Sequence, residues 1–161
     1  MEQRVAGLGV TLILAASTTY ADALDGRWRL NVARSHYGPG ATPRQEGTFV
    51  CASTKDIREC TIDSRRVDGT RVLGTFAAAH DGTPHRATGI PDVDEVAVRR
   101  VDDYSTDATF SYKGRPVFGY RAIKSDDGQS LTIVSVDPTA RTVLTSVVVY
   151  DRQSLARRGR E

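Results

Sequence analysis

Residues 108–120 read Ala108-Thr109-Phe110-Ser111-Tyr112-Lys113-Gly114-Arg115-Pro116-Val117-Phe118-Gly119-Tyr120. Side chains of an extended strand point to opposite faces in turn, so Phe110 and Tyr112 share one face against Thr109 and Ser111. Gly114-Arg115-Pro116 breaks the run, because proline removes a ladder donor and glycine favours a turn. Phe118 and Tyr120 then share a face of the next strand. Arg121 falls on the other face, so Tyr120 and Arg121 do not both point inward in an unbulged strand. Strand, breaker and strand together read as an antiparallel hairpin.

The pattern continues in both directions. Toward the C-terminus, Ser125-Asp126-Asp127-Gly128 is a turn, residues 131–136 a strand, Asp137-Pro138-Thr139-Ala140 a turn and residues 142–150 a valine-rich final strand. Toward the N-terminus, residues 94–101 alternate Val96 and Val98 with charged neighbours before the turn Asp102-Asp103-Tyr104-Ser105. Residues 71–80 and 85–88 flank the hairpin signal Asp81-Gly82-Thr83-Pro84, and Gly89-Ile90-Pro91-Asp92 breaks the chain after them. Residues 26–32 form the first strand, and a loop runs from Ser35 to Pro43, with strands around Cys51 and Cys60 before the turn Val67-Asp68-Gly69-Thr70.

Helical periodicity is nearly absent, and nine or ten strands follow one another through tight turns. A meander of that length removes its exposed edges by closing on itself. The expected fold is therefore all-β, an antiparallel up-and-down barrel of about 8–10 strands, with an interior wide enough for side chains or one small ligand. A two-sheet sandwich is the competitor, but it needs longer crossing connections than these turns provide.

The 161 residues fit one domain. Residues 1–23 read as a secretory signal: Arg4 is the basic start, residues 5–16 are an apolar run too short to span a bilayer, and Ala21-Asp22-Ala23 matches a small-x-small cleavage pattern. Cleavage is expected before Leu24, with Thr19-Tyr20-Ala21 as a second option. The barrel domain is then 24–153, followed by a basic tail over 154–161. The expected location is secreted or periplasmic, with no stable membrane insertion after cleavage. Cys51 and Cys60 are the two cysteines. Folding a hairpin about Lys55-Asp56 sets them directly opposite, and an exported chain oxidises such a pair.

Removing the signal leaves 21 basic and 18 acidic residues, a formal charge of +3. The basic residues are scattered without the aromatic interleaving of a nucleic-acid surface, so no nucleic-acid partner is expected. No nucleophile elbow, phosphate loop or zinc motif occurs, and neither a cofactor nor a metal is expected. His36, His80 and His85 are the three histidines. His80 and His85 flank one turn, where solvation is the ordinary state and a metal would need a third ligand such as Asp81. The acidic pairs Asp102-Asp103 and Asp126-Asp127, with Asp92 and Asp94, lie in turns, which aspartate stabilises through its own backbone hydrogen bonds.

The ends of the chain carry a resemblance. Gly26-Arg27-Trp28-Arg29-Leu30-Asn31 resembles the first strand of the calycins, the group of lipocalins and fatty-acid-binding proteins. Val147-Val148-Val149-Tyr150-Asp151-Arg152 resembles their closing strand, preceded by Thr145 and Ser146. The stretch from Gly26 through Asn31-Val32-Ala33-Arg34-Ser35 to Pro43 is similar to small exported bacterial proteins of lipocalin-like type. The resemblance implies a ligand-holding barrel with Gly26 and Trp28 as structural residues. Two positions depart from it. Fatty-acid-binding proteins place Arg-x-Tyr on the last strand to hold a carboxylate, and Val148 stands where the arginine would be. Their helical lid would fall in residues 33–44, where prolines and glycines argue for an irregular loop.

Phe110, Tyr112, Phe118, Tyr120 and Tyr150 are the expected ligand-binding residues, lining an apolar cavity with hydroxyls as polar handles. The expected function is binding of a small lipophilic partner, apolar or amphipathic. An isomerase- or cyclase-like enzyme on the same barrel is the alternative, requiring a desolvated ionisable group among Arg100, Arg121, Asp151 and His85. A filled structural or interaction barrel is the third reading.

Overall fold

The period-two runs become strands in the computed structural model of the protein, which describes residues 22–136 and 144–154. In chain order they are β1 (Gly26–Tyr37), β2 (Arg44–Thr54), β3 (Ile57–Arg66), β4 (Arg71–Ala79), β5 (Asp81–Thr88), β6 (Glu95–Arg100), β7 (Ser105–Tyr112), β8 (Arg115–Lys124), β9 (Ser130–Val136) and β10 (Leu144–Arg152). Each strand pairs antiparallel with its neighbours in sequence, and β10 pairs back onto β1, closing one up-and-down barrel of ten strands. No helix occurs among the described residues. Residues 1–21 of the expected signal 1–23, the expected turn Asp137–Ala140 with residues 141–143, and residues 155–161 of the expected tail 154–161 lie outside the described residues.

Alternation sends one face of each strand inward. Trp28 and Leu30 of β1, Phe49 and Cys51 of β2, Phe76 and Ala78 of β4, Val96 and Val98 of β6, Ala108 and Phe110 of β7 and Leu131 and Ile133 of β9 join a single buried cluster. The hairpin of β2 and β3 reverses at Lys55-Asp56, with Lys55 at a φ of 55°. Cys51 and Cys60 are direct partners across it and are joined in a disulfide inside the barrel.

Several boundaries differ from the sequence expectation; Arg115 and Pro116 of the expected breaker, for example, begin β8 and pair with Tyr112 and Ser111. β1 continues past Val32 to Tyr37, so Ser35, His36 and Tyr37 are strand rather than loop. The pairing register with β10 jumps between Asn31 and His36, and the extra residues bulge outward. Side chains stitch this bulge: the Ser35 hydroxyl donates to the Asn31 carbonyl at 2.7 Å and accepts from the Val149 amide at 3.0 Å. The hydroxyl thus stands in for a missing ladder partner. Asp81-Gly82-Thr83-Pro84 belongs to β5, and the reversal occurs at His80. Pro84, which has no amide to donate, follows a register shift in the pairing of β5 with β6. Ser105 begins β7, since the Val101 amide bonds to its carbonyl at 3.0 Å and tightens the preceding turn.

One end of the barrel is plugged by residues 22–25. The Trp28 indole, fully buried, donates to the Leu24 carbonyl at 2.8 Å. Arg152 of β10 lies opposite Trp28 and stacks its guanidinium 5.0 Å above the ring. Gly26 adopts a φ of +136°, and a Cβ there would stand 3.0 Å from the Arg152 Nη2. A side chain at position 26 would therefore be strained and would push the arginine off the indole. Deeper in, fully buried Arg58 is ion-paired with Asp22 and hydrogen-bonds Thr106 at 3.2 Å. Burial draws the Arg58 guanidinium down to about 10 from its ordinary 12.5. His80 Nε2 stands 3.3 Å from the second Asp22 oxygen. Burial first, then the Arg58 and Arg100 cations, hold the His80 imidazole below its usual value. The lowering prevails although an acid is close, because the Asp22 charge is already matched by Arg58.

Non-reducing mass measurement with thiol alkylation is expected to find no free thiol. The Cys51→Ala/Cys60→Ala double variant is expected to lose about 2–3 kcal/mol in denaturant unfolding, since the closed loop is short. Arg58→Met leaves the Asp22 carboxylate buried and unpaired and is expected to cost about 3–5 kcal/mol in the same assay. Because His80 is held below its ordinary 6.5, the unfolded chain binds the extra proton. Stability is therefore expected to fall as pH drops from about 7 to about 5. His80→Gln is expected to flatten that slope, and an unchanged slope would remove His80 from the account.

Candidate functional site at the barrel mouth

Four of the five expected ligand-binding residues belong to the interior cluster or pack against it, Phe110 with Phe118 and Tyr120, and Tyr150 with Phe49. Phe110 stacks on Phe118 with ring centroids 4.5 Å apart, meets Phe76 edge-on at 5.8 Å and Tyr120 at 5.6 Å. Tyr150 meets Phe49 at 6.3 Å. Phe110 is fully buried, and these rings occupy the middle of the barrel. Such offset and edge-on contacts add to the area that the rings bury. Tyr112 is placed differently. It is 42% exposed at the end of β7, with the Lys113 ammonium 5.0 Å over its ring. It shares the parity of Phe110, but it lies beyond the register shift that follows Phe110 in the pairing with β8.

The open end opposite the plug holds a cavity of about 360 Å³. Tyr37 at the end of β1 and the connection 38–43 form one wall. That connection is held by a turn in which the Ala41 amide bonds to the Gly38 carbonyl at 3.1 Å, and Pro43 accepts from the Val67 amide at 3.0 Å. Ser135 of β9 and Ser146 and Val148 of β10 form the opposite wall. Arg44 at the start of β2 and Arg66 at the end of β3 complete the lining.

Arg44 and Arg66 are direct partners across the β2–β3 ladder. Like charges directly opposite one another destabilise a sheet. Neither has an ion-pair partner among the described residues. The Tyr37 hydroxyl is buried without a hydrogen-bond partner among them. Burial raises the Tyr150 phenol, and the nearby Arg44 guanidinium pulls the other way through charge and hydrogen bonding. Burial likewise pushes the Tyr120 phenol up to about 12. Both phenols therefore remain neutral donors at physiological pH. Two guanidinium groups without an acidic partner among the described residues, beside the Tyr37 hydroxyl, are chemically suited to an anion that carries hydrogen-bond acceptors.

Arg44, Arg66 and Tyr37 were not singled out from the sequence. Position was the missing signal, because an isolated arginine beside a turn has no motif. The groups nominated as desolvated ionisable residues lie elsewhere. Arg121 makes a two-point pair with Asp107 on the outer surface, at 2.7 and 2.9 Å. Arg100 pairs with Asp103 and Arg34 with Asp151, all at the surface. His85 Nε2 accepts from the Ala79 amide at 3.3 Å and sits 3.1 Å from the Thr83 hydroxyl. His85 and His80 thus turn to different partners. His36 is exposed on β1. No group of three or more His, Cys, Asp or Glu suited to a metal occurs among the described residues. Asp102 and Asp127 accept from backbone amides two residues on, at 2.8 and 2.9 Å; the Tyr104 amide for Asp102, and the Ser125 hydroxyl ahead of the Gln129 amide for Asp127, hold the carboxyls below the usual range. They are turn residues.

A groove of about 470 Å³ lies along the outer face of β1 to β3. Its Arg65 and Arg71 are tied to Glu46 and Asp63 at 2.8 and 2.9 Å. The mouth differs in that its arginines have no such acids among the described residues. No known protein family, curated protein or solved structure matches the chain.

The packed rings carry one prediction. Phe110→Ala is expected to cost about 3–5 kcal/mol in denaturant unfolding, the value for deleting an aromatic side chain from a filled core. A loss below about 1 kcal/mol would mean that the middle of the barrel is hollow.

Proposed function

We propose that the protein is an exported, calycin-like binding protein that holds a small amphipathic carboxylate in the mouth of its barrel. The observation that supports this reading is the facing pair Arg44 and Arg66, without carboxylate partners among the described residues, beside the buried Tyr37 hydroxyl. The acid head would lie between the two guanidinium groups and accept from Tyr37. The apolar body would rest on Val148 and the wall of residues 38–43. Export follows from the signal pattern and suits the disulfide, which persists in oxidising compartments.

Filling of the barrel limits ligand size. About 360 Å³ is at the small end of ligand sites, and the rings of Phe110, Phe118, Tyr120 and Tyr150 occupy the space below. A compact acid fits this volume better than a long-chain fatty acid. The same packing supports a second reading, a filled barrel whose outer surface meets another protein. The enzyme reading has less support, because Arg100, Arg121 and Asp151 are engaged in surface ion pairs and His85 is bonded within its own hairpin.

Calorimetric titration with medium-chain carboxylates and the alcohols of equal length separates the readings. The acid is expected to bind at least about tenfold more tightly than the alcohol, as a charge-assisted hydrogen bond contributes about 1.5–3 kcal/mol. Arg44→Met and Arg66→Met are each expected to abolish most of that preference while the fold is retained by circular dichroism. Equal binding of acid and alcohol, or no binding by either, would favour the filled interaction barrel.

A further inference from the structure

The signal pattern offers two cleavage points, after Ala21 or after Ala23. We propose that the chain is cut between Ala21 and Asp22, so that the mature protein begins at Asp22. This inference rests on export but not on the ligand reading.

A cut after Ala23 would remove Asp22 and Ala23, which are 6% and 2% exposed in the closed end. Asp22 is the ion-pair partner of Arg58, a side chain with no exposure at all. Without Asp22, Arg58 would have no carboxylate partner among the described residues. The same cut would create a new ammonium on Leu24, whose side chain is fully buried and whose nitrogen donates to the Asp22 carboxylate at 3.0 Å. A charged amine there would lose its acceptor and be left beside the buried Arg58 guanidinium, which is held by the same Asp22 oxygen.

A cut after Ala21 gives the opposite outcome. The Asp22 nitrogen lies 3.1 Å from the Asp25 carboxylate. Water adds across the Ala21–Asp22 amide under an export peptidase: the oxygen remains on Ala21 as a carboxylate, and the nitrogen leaves with Asp22 as an ammonium. The new positive charge then faces Asp25, whose other oxygen is held by the Ser53 hydroxyl at 2.8 Å. An existing hydrogen bond becomes an ion pair. The peptidase acts on the unfolded chain, so the fold does not direct the cut; it shows which product the sequence is suited to fold as.

The test is to express the full chain in a Gram-negative bacterium, recover it from all cell fractions, and determine its N-terminus by Edman sequencing and intact mass. The expected product starts at Asp22. A product starting at Leu24, or one retaining Met1, would overturn the proposal. Asp22→Asn in the same full-length chain provides a readout separate from processing. Its exported product is expected to melt at a clearly lower temperature than the parent, and an unchanged melting temperature would also overturn the proposal.

Discussion

A ten-stranded sheet becomes a barrel only where its first and last strands meet, and here that seam is interrupted. β1 and β10 pair from Trp28 to Asn31 and again from His36, with a bulge between. Backbone hydrogen bonds alone do not hold such a seam, so side chains supplement them. Ser35 bridges the gap in the ladder, the Asn31 amide donates to Asp151 at 2.7 Å, and Arg152 covers the Trp28 ring. The Arg152 Nη2 also donates to the Asp25 carbonyl at 3.1 Å, which ties the plug to the last strand. Closure and plugging are thus one structure, in which the indole of Trp28 bonds to the plug on one side and is stacked by the closing strand on the other. The bulge also sets the mouth, because it carries β1 on to Tyr37.

The two ends of the barrel treat positive charge in opposite ways. At the closed end the buried guanidinium of Arg58 is met by Asp22, and even so burial lowers its basicity. Such a pair is a weak source of stability, because desolvation offsets most of the attraction; its strong effect is to penalise loss of either partner. At the mouth, Arg44 and Arg66 face each other with no acidic partner among the described residues. Their repulsion is moderated by partial exposure to water. One cation is matched inside the fold, and the other two are left to solvent.

The fold was legible in the sequence because period-two alternation and turn chemistry are local. Phe110 against Ser111, or Lys55-Asp56 between two cysteines, needs no distant information, and the register placing Cys51 opposite Cys60 follows from symmetry about the turn. The bulge in β1 was not legible, since it depends on Ser35 finding Val149, a residue 114 positions away. The same applies to the site. The aromatic residues share a strand face, so their grouping could be read directly, but whether they enclose space or fill it depends on how rings from β4, β7 and β8 meet. Tyr112 shows the limit of parity: its face matches Phe110, yet its position at the strand end leaves it outside. Arg44 and Arg66 come from opposite ends of one hairpin, and only the ladder brings them together.

Val148 is where the chain departs from the resemblance. Fatty-acid-binding proteins have an arginine two residues before the tyrosine of the last strand, and this chain has an apolar side chain there, almost fully buried. A cation at that almost fully buried position would suffer the desolvation that already lowers Arg58. Arg44 avoids this because it projects from the start of β2, at the rim, while remaining close enough to Tyr150 to influence its phenol. With Arg44 and Arg66 at the rim and an apolar side chain at position 148, the Phe110, Phe118 and Tyr120 rings pack together with no cation inserted among them.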